Sequence, residues 1–162
     1  QEQELVLRDF LPVNLLDVVE KVVAKYQAKA KSRGVTIKVR DSLNLPTIQG
    51  DETSLERALT GLVDNAIKFS RSNSTVDIRF ADLGNHVGVS VVDYGIGIDP
   101  QIRPRIFDRF FHLEKSGDEI FDGLGIGLSI TRQVIQQHRG ILDVDSEPGK
   151  GSTFTISLLK RN

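Results

Sequence analysis

The sequence predicts an α+β protein, a two-layer sandwich in which a mixed five-stranded sheet packs against three helices. Three segments place apolar residues at the 3.6-residue period of an amphipathic helix. Other short segments alternate apolar and polar residues, and two adjacent pairs of them are joined by turns that suit antiparallel pairing. The chain has 162 residues, no internal repeat and no linker-like tract, so we expect one domain, residues 1–162, with a sizeable core.

The first half of the chain contains two helical patterns. The first has two neighbouring apolar rows and ends at a basic step followed by glycine, Arg33-Gly34. Asp51 is suited to cap the second, because its side chain can accept hydrogen bonds from the free amides of a first helical turn. In chain order we predict a short strand at 5–7, a helix from Val13 to Arg33, a strand at 35–40, an extended segment at 46–50 and a helix from Asp51 to about Phe69.

The second half of the chain is richer in strands and glycine. Its most apolar run, residues 86–93, is typical of a buried strand that ends at a carboxylate. The polar, glycine-punctuated stretch from His112 to Gly123 is typical of a mobile loop. The other predicted elements are a turn at 71–74, a strand at 76–80, a short helix at 100–111, a third helix from Gly127 to His138, and two last strands at 141–145 and 153–159.

Composition and charge exclude several function classes. A net charge of −1 gives no overall electrostatic attraction to nucleic acid or to an anionic membrane, so neither is expected as a partner. The absence of cysteine excludes disulfides and thiolate chemistry. The three histidines, His86, His112 and His138, lie far apart without metal-ligand spacing, which argues against a zinc site. The apolar runs are too short to span a bilayer.

The stretch from Asp93 to Ile98, Asp-Tyr-Gly-Ile-Gly-Ile, follows the buried strand directly. Glycine allows a backbone or a ligand to approach closely, and a carboxylate at such a turn can accept a hydrogen bond from an amino group such as that of adenine. The same pattern also occurs in ordinary tight turns. By itself, this stretch therefore indicates either a base-binding turn or a purely structural one.

The second helix has polar residues at the border of its apolar arc. At about 100° per residue, Gly61, Asn65 and Lys68 lie on one stripe. An amide oxygen and an ammonium on one stripe are suited to a hydrated Mg²⁺ and a phosphate, since Mg²⁺ needs few protein ligands when phosphate oxygens and waters supply the rest. The simpler interpretation is that both side chains face solvent.

Two further glycine clusters lie towards the carboxyl end. Residues 123–129 enter the third helix, where unblocked backbone amides can cradle phosphate, or can simply form a cap and hinge. The pattern is not a dinucleotide-binding fingerprint, because Leu128 stands where the last glycine is required, and it is not a nucleophile elbow. Residues 149–152 are suited to a hairpin turn. Neither a Walker phosphate loop nor the signatures of Ser/Thr protein kinases occur.

Together these segments resemble the catalytic and ATP-binding domain of two-component sensor histidine kinases. Five motifs occur in that family's order and cover the chain from about Leu5 to Leu159. They are the N box at 62–70, the G1 box at 93–98, the F box at 106–111, the G2 box at 123–128 and the G3 box at 149–152.

The resemblance implies the Bergerat (GHKL) ATP-binding fold, with ATP and Mg²⁺ as cofactors. Asn65 and Lys68 would be the catalytic residues, Asn65 as the Mg²⁺ ligand and Lys68 as a phosphate contact. Asp93 would accept a hydrogen bond from the adenine amino group. The remaining implied roles are a base pocket from Gly95, Gly97 and Ile98, apolar walls from Phe69 and Leu128, phosphate contacts from Gly123, Leu124, Gly125 and Gly127, a place for Ser152 near the adenine, and an ATP lid at 112–122.

The resemblance also implies an activity and partners. The domain would transfer the γ-phosphoryl group to a histidine on a separate dimerisation domain of the same kinase, and would serve a response regulator indirectly. We expect a cytoplasmic, monomeric domain without direct membrane contact, within a homodimeric parent protein. Membrane anchoring of that parent is left open. No His-Glu-x-Arg-type acceptor motif occurs, so the acceptor is expected outside residues 1–162, with residues 1–12 as the junction to the preceding domain.

Two residues depart from the family pattern. Gly61 stands where many members have Asn, and His112 stands where Arg often follows the F box. They leave open a catalytically impaired nucleotide- or protein-binding module, and a Ser kinase of the anti-sigma type on the same fold is a third possibility. The water-activating Glu of the hydrolysing relatives is also absent at position 61, which argues against an ATPase.

Overall fold

The structure, a computed structural model, describes residues 10–42, 44–108, 114–115, 119–120 and 126–161. The predicted strand at 5–7 lies outside these ranges, as do Gly123, Leu124 and Gly125 and most of the predicted lid. Within the lid, residues 114–115 and 119–120 form two short antiparallel strands. The strands in the described ranges are β1 Leu11–Val13, β2 Val35–Arg40, β3 Ile48–Gly50, β4 Ser74–Asp82, β5 His86–Asp93, β6 Glu114–Lys115, β7 Glu119–Ile120, β8 Ile141–Glu147 and β9 Gly151–Leu159.

The three long predicted helices are present, with their ends shifted by no more than two residues. The α-helices of the described residues are α1 Leu15–Ser32, α2 Glu52–Phe69 and α3 Ile126–Gln137. Helix α1 begins later than predicted, because the side chain of Asn14 caps it by accepting from the N–H of Leu16 and Val13 belongs to β1. The predicted cap of α2 is confirmed, since Asp51 Oδ2 accepts from the N–H of Ser54 at 2.9 Å.

The main sheet has five strands in the order β2-β4-β5-β9-β8. Within the described ranges β2 and β4 run parallel, and the other neighbouring strands of this sheet are antiparallel. The predicted mixed five-stranded sheet, with three helices packed on it, is therefore confirmed. β8 and β9 extend two residues further towards their shared turn than predicted, and this extension carries the pairing to the edge of the site described below.

The core fills the space between the sheet and the helices. Alternate residues of β4, β5 and β9 point inward, and α2 packs against both α1 and α3. Burial is nearly complete for the side chains at the centre of this layer, which include Leu55, Leu59, Leu62, Ile67, Ile78, Val89 and Ile156.

The predicted helix at 100–111 is wrong in the part of it that the structure describes. Residues Arg103–Arg105 form a single 3₁₀ turn instead. The N–H of Arg105 bonds to the carbonyl of Ile102 and that of Ile106 to the carbonyl of Arg103, which is the tighter i to i+3 pattern. Pro104 removes one backbone donor, and the fully buried Ile106 anchors the turn to the core.

Candidate functional site

Strand register places three polar side chains in a row across β5, β9 and β8, at one end of these strands. Asp93, the last residue of β5, pairs with Ser152 of β9, and Ser152 pairs with Ser146 of β8. All three are buried, with 5 to 6% of their surface exposed. Ser152 shares its strand face with the core residue Phe154, so the row lies on the side of the sheet that faces the helices.

A cleft opens beside this row, between the end of α2 and the turn that follows β5. Its cavity volume is about 40 Å³. The walls are mainly apolar with three polar groups, the arrangement typical of small-molecule sites. Among the described residues the lining consists of Asn65, Phe69, Asp93, Ile96, Gly97, Ile98, Ile102, Ser152 and Phe154.

Asp93 is the buried acid of the cleft. Its Oδ1 accepts a hydrogen bond from the N–H of Gly95 at 3.0 Å, and the backbone N–H of Ser152 also donates to the carboxylate. Burial raises the pKa of Asp93 to about 6, although these two N–H donors act in the opposite direction. Above that pH, Asp93 is a desolvated carboxylate with capacity left to accept a hydrogen bond from a ligand.

The two glycines after Asp93 are required by the protein's own packing. A Cβ at Gly95 would lie 1.8 Å from the carbonyl oxygen of Phe69, and one at Gly97 would lie 2.1 Å from that of Glu147. Gly97 also has φ +73, a left-handed conformation that favours glycine. The turn is therefore wedged between the end of α2 and the β8–β9 hairpin. Gly97 lines the cleft, whereas Gly95 lies behind it against α2.

Tyr94 fixes the same turn from the opposite face of the sheet. Its hydroxyl donates to Asp77 at 2.8 Å, and the Nε of Arg40 donates to the other oxygen of Asp77 at 3.0 Å. Burial alone would raise the pKa of Asp77, but the hydrogen bonds from Arg40 and Tyr94 outweigh it, and the pKa lies below its usual value. Asp77 thus stays ionised as the anchor of Tyr94.

Asn65 and Lys68 of α2 occupy different surroundings. Asn65 is half-buried and lines the cleft one helical turn before Phe69. Lys68 is not among the described residues of the lining; it is 5% exposed, and its Nζ lies 3.0 Å from Asp64 Oδ2. Asp64 also accepts from Lys29 Nζ at 2.7 Å. The predicted solvent-facing alternative is therefore wrong for Lys68, and its contact with phosphate stays a prediction.

The other predicted site residues divide into three groups. Phe69, Gly97, Ile98 and Ser152 line the cleft, as the base-pocket prediction requires. Leu128 is 3% exposed on α3 and belongs to the core cluster rather than to the described lining. Gly127 lies in the first turn of α3, while Gly123, Leu124 and Gly125 lie outside the described residues.

Four residues of this region were missed from the sequence. Ile96, Ile102 and Phe154 line the cleft, and Ser146 lies behind Ser152. Strand alternation from Ser152 points to Phe154, but Ile102 lies in a segment predicted as helix. Ser146 was missed because β8 was predicted to end at residue 145, one residue short of it.

The acidic and histidine side chains do not form a metal site by themselves. No group of three or more His, Cys, Asp or Glu residues suited to a metal ion occurs in the described part of the chain. The amide of Asn65 lines the cleft and provides one oxygen. That single oxygen fits Mg²⁺ brought in by a phosphate ligand, because Mg²⁺ then keeps waters and phosphate oxygens as its other ligands.

The fold and the cleft define an ATP-binding α+β sandwich of the GHKL class. The family model for histidine kinase-, DNA gyrase B-, and HSP90-like ATPases matches residues 50–162, and the chain belongs to that family. Within it, the chain is a catalytic and ATP-binding domain of the sensor histidine kinase type. No helix in the described ranges is long and apolar enough to cross a bilayer.

The relatives are sensor kinases much longer than this chain. The sensor-like histidine kinase SenX3 of Mycobacterium tuberculosis is 35% identical over 152 residues, which are 94% of this chain and 37% of SenX3. The adaptive-response sensory kinase SasA of Synechocystis is 34% identical over 91% of this chain and 38% of its own length. The chain thus spans less than two fifths of these relatives.

Solved structures show the same fold. The mycobacterial sensor histidine kinase MprB superposes with a TM-score of 0.78 at 29% identity, covering 94% of this chain and 98% of MprB. The catalytic domain of histidine kinase ThkA gives 0.79 at 25% identity, covering 94% and 96%. Full-length ShkA in complex with AMPPNP gives 0.82 at 28% identity, covering 98% of this chain and 33% of ShkA.

Proposed function

We propose that this domain binds Mg²⁺-ATP in the cleft and positions the γ-phosphoryl group for transfer to a histidine on a dimerisation domain of the same kinase. The observation that carries the proposal is the lining of the cleft, where a buried carboxylate and a helix-borne amide share one mainly apolar space. The response regulator then follows as an indirect partner, and the cytoplasm as the location.

The base end of the site consists of Asp93 and the apolar residues near it. The carboxylate accepts a hydrogen bond from the adenine amino group, while Phe69, Ile98 and Phe154 enclose the ring. Phe107 packs against Phe154 in an edge-to-face arrangement, with ring centroids 6.1 Å apart and planes at 84°. An apolar enclosure with one charged acceptor gives both affinity and orientation.

The phosphate end is assigned to α2 and the segment that leads into α3. Asn65 offers its amide oxygen to Mg²⁺, which supplies charge neutralisation on the phosphates when bound. Lys68 provides a cation on the same helix, and its ammonium group forms an ion pair with Asp64. Backbone amides of Gly123, Leu124, Gly125 and Gly127 are proposed to wrap the phosphates, with residues 112–122 as the lid. Catalysis is then mainly positioning and charge stabilisation.

The experiment combines this chain, a separately produced dimerisation domain of its parent kinase and Mg²⁺-ATP labelled on the γ-phosphate. The proposal predicts acid-labile label on the dimerisation domain. ATP binding without phosphohistidine, under conditions in which the full-length kinase works, would instead indicate the catalytically impaired module, to which Gly61 and His112 point. Acid-stable label would indicate a Ser kinase of the anti-sigma type.

A further inference from the structure

The buried hydroxyl oxygen of Ser146 has three hydrogen-bonding partners. The backbone N–H of Ile98 donates to Ser146 Oγ at 2.8 Å. Ser146 Oγ lies 3.1 Å from the carbonyl oxygen of Gly151 and 2.8 Å from Ser152 Oγ. A serine hydroxyl has one proton and two lone pairs, so these three contacts use its whole capacity.

The chemical identity of the partners decides which way the proton of each serine points. The Ile98 N–H can only donate, and the Gly151 carbonyl can only accept. Ser146 therefore accepts from Ile98 and gives its own proton to Gly151. Its remaining lone pair faces Ser152, so the hydroxyl of Ser152 must donate to Ser146.

Ser152 is left with lone pairs and no proton for the cleft that it lines. Its strand partner Asp93 is also an acceptor when ionised. Two acceptors side by side match an exocyclic amino group, which has two N–H donors. The carbonyl oxygen of a 6-oxo purine in the same place would face the lone pairs of Ser152 and Asp93. It would have no hydrogen-bond donor, which is unfavourable in a buried site.

We infer that Ser146 is a positioning residue that sets the purine specificity of the cleft. By holding the proton of Ser152, it makes Ser152 an acceptor and so favours a 6-amino over a 6-oxo purine. The inference rests on the proposed function, since it takes the base of the bound nucleotide to lie beside Asp93 and Ser152.

The test compares the dissociation constants of ATP and inosine triphosphate, measured by calorimetry with Mg²⁺, for the native chain and for Ser146→Ala. Inosine triphosphate carries a 6-oxo group without the extra 2-amino group of guanine, so it probes position 6 without added bulk. Removing Ser146 frees the Ser152 proton to donate to a 6-oxo group. The ratio Kd(ITP)/Kd(ATP) should therefore fall about tenfold, the size expected when one buried mispaired group is relieved.

Two further variants separate specificity from fold. Ser90→Ala also removes a hydroxyl from a serine–threonine pair of the same sheet, 2.8 Å from Thr155 Oγ1. Ser90 does not belong to the described cleft lining, so this variant should leave the ratio unchanged. Ser152→Ala removes the acceptor itself, so the ratio should fall, and adding Ser146→Ala to it should cause no further change. If Ser146→Ala does not fold, Ser152→Ala alone can still refute the inference.

The outcomes distinguish the inference from the proposed function. An equal loss of affinity for both nucleotides in Ser146→Ala would mean that Ser146 only supports the backbone of Ile98, and would overturn the inference. An unchanged ratio in Ser152→Ala would overturn it as well. Failure of the native chain to bind ATP would contradict the proposed function itself.

Discussion

Asp93 is kept in an environment that opposes its charge. Its pKa is about 6 in the folded chain against an ordinary 3.8, so the folded state binds a proton more readily than the unfolded state. The resulting stability is fully present below pH 3.8 and is lost as the pH rises through 6. At neutral pH the ionised group disfavours folding by on the order of 3 kcal/mol. An amino group that donates to this carboxylate offsets part of that loss.

Replacing the carboxylate tests its role directly. Asp93→Asn should weaken adenine nucleotide binding by roughly 1–3 kcal/mol, because a charge-assisted hydrogen bond becomes a neutral one. Calorimetry with Mg²⁺-ATP at pH 8 measures the change. Unchanged affinity, in a variant with native circular dichroism, would remove Asp93 from base recognition.

The raised pKa of Asp93 also predicts a pH dependence of binding. Affinity for ATP should fall as the pH is lowered through about 6, because protonation removes the ionised acceptor. Phosphate groups titrate near pH 6 as well. The Asp93→Asn variant serves as the control, since its profile contains the phosphate titration alone. Parallel profiles for the two proteins would contradict the assignment.

At the scale of elements, the turn after β5 depends on close backbone contact with the β8–β9 hairpin. Gly97 and Gly84 both have positive φ, +73 and +85, but their surroundings differ. A Cβ at Gly97 would meet the Glu147 carbonyl, whereas one at Gly84 would meet nothing within 4 Å. Substituting these two glycines therefore separates the cost of backbone strain from the cost of a steric clash with the Glu147 carbonyl.

Gly97→Ala should lower the free energy of unfolding by about 2 kcal/mol or more and weaken ATP binding, since strain and collision add. Gly84→Ala should cost only about 1 kcal/mol, the strain alone, and leave ATP binding unchanged. Urea unfolding and calorimetry measure both effects. Equal destabilisation in the two variants would show that the β8–β9 hairpin moves away from the new side chain. The close contact between Gly97 and Glu147 would then not shape the cleft.

His138, just after the end of α3, contacts Asp51 at the beginning of α2, the end of that helix away from the cleft. Its Nε2 accepts from the backbone N–H of Asp51 at 3.0 Å, so its Nδ1 carries the proton and donates to the Val134 carbonyl at 2.8 Å. The ring stacks on Phe10, with centroids 4.4 Å apart, where the predicted junction enters the domain. Burial lowers the pKa of His138, although Val134 and Asp51 act to raise it.

A lowered pKa in the folded state means that acid destabilises this contact. The stability that neutral His138 contributes is present above its unfolded pKa of about 6.5 and is lost as the pH falls towards the lower folded value. Thermal unfolding of the native chain and of His138→Gln should therefore differ most at pH 8 and converge on acidification. The Asp93 contribution is common to both and cancels. A difference in unfolding temperature between the two proteins that stays constant from pH 8 to 5 would contradict a stabilising role for neutral His138.

How well an element was predicted depends on how local its determinants are. Helix α2 was predicted closely because its cap and its apolar period both lie within the segment. The 3₁₀ turn at Arg103–Arg105 was not, because the burial of Ile106 in the core, which depends on the rest of the fold, helps to decide it. Ser146 became visible only through the fold, since Ile98 is distant in sequence and strand register is what places Ser152 opposite Ser146.

At the scale of the whole molecule, the site lies where the sheet edge, the end of α2 and the β8–β9 hairpin meet. Motif order brought together much of the cleft lining, because Asp93, Gly97, Ile98 and Ser152 come from segments that the fold places side by side, while their role in binding the base stays a prediction. It did not predict that Lys68 would be buried against Asp64, which is a matter of side-chain packing. In the proposed function, base recognition and phosphate binding are therefore assigned to separate elements around one cleft.

The most direct test of phosphoryl transfer uses Asn65. We predict that Asn65→Ala keeps the native circular dichroism and unfolding midpoint, because the side chain lines the cleft rather than the core. With the dimerisation domain and labelled ATP, the native chain should form acid-labile phosphohistidine in proportion to Mg²⁺, and Asn65→Ala should form none. A normal Mg²⁺-dependent transfer rate in Asn65→Ala would contradict the account.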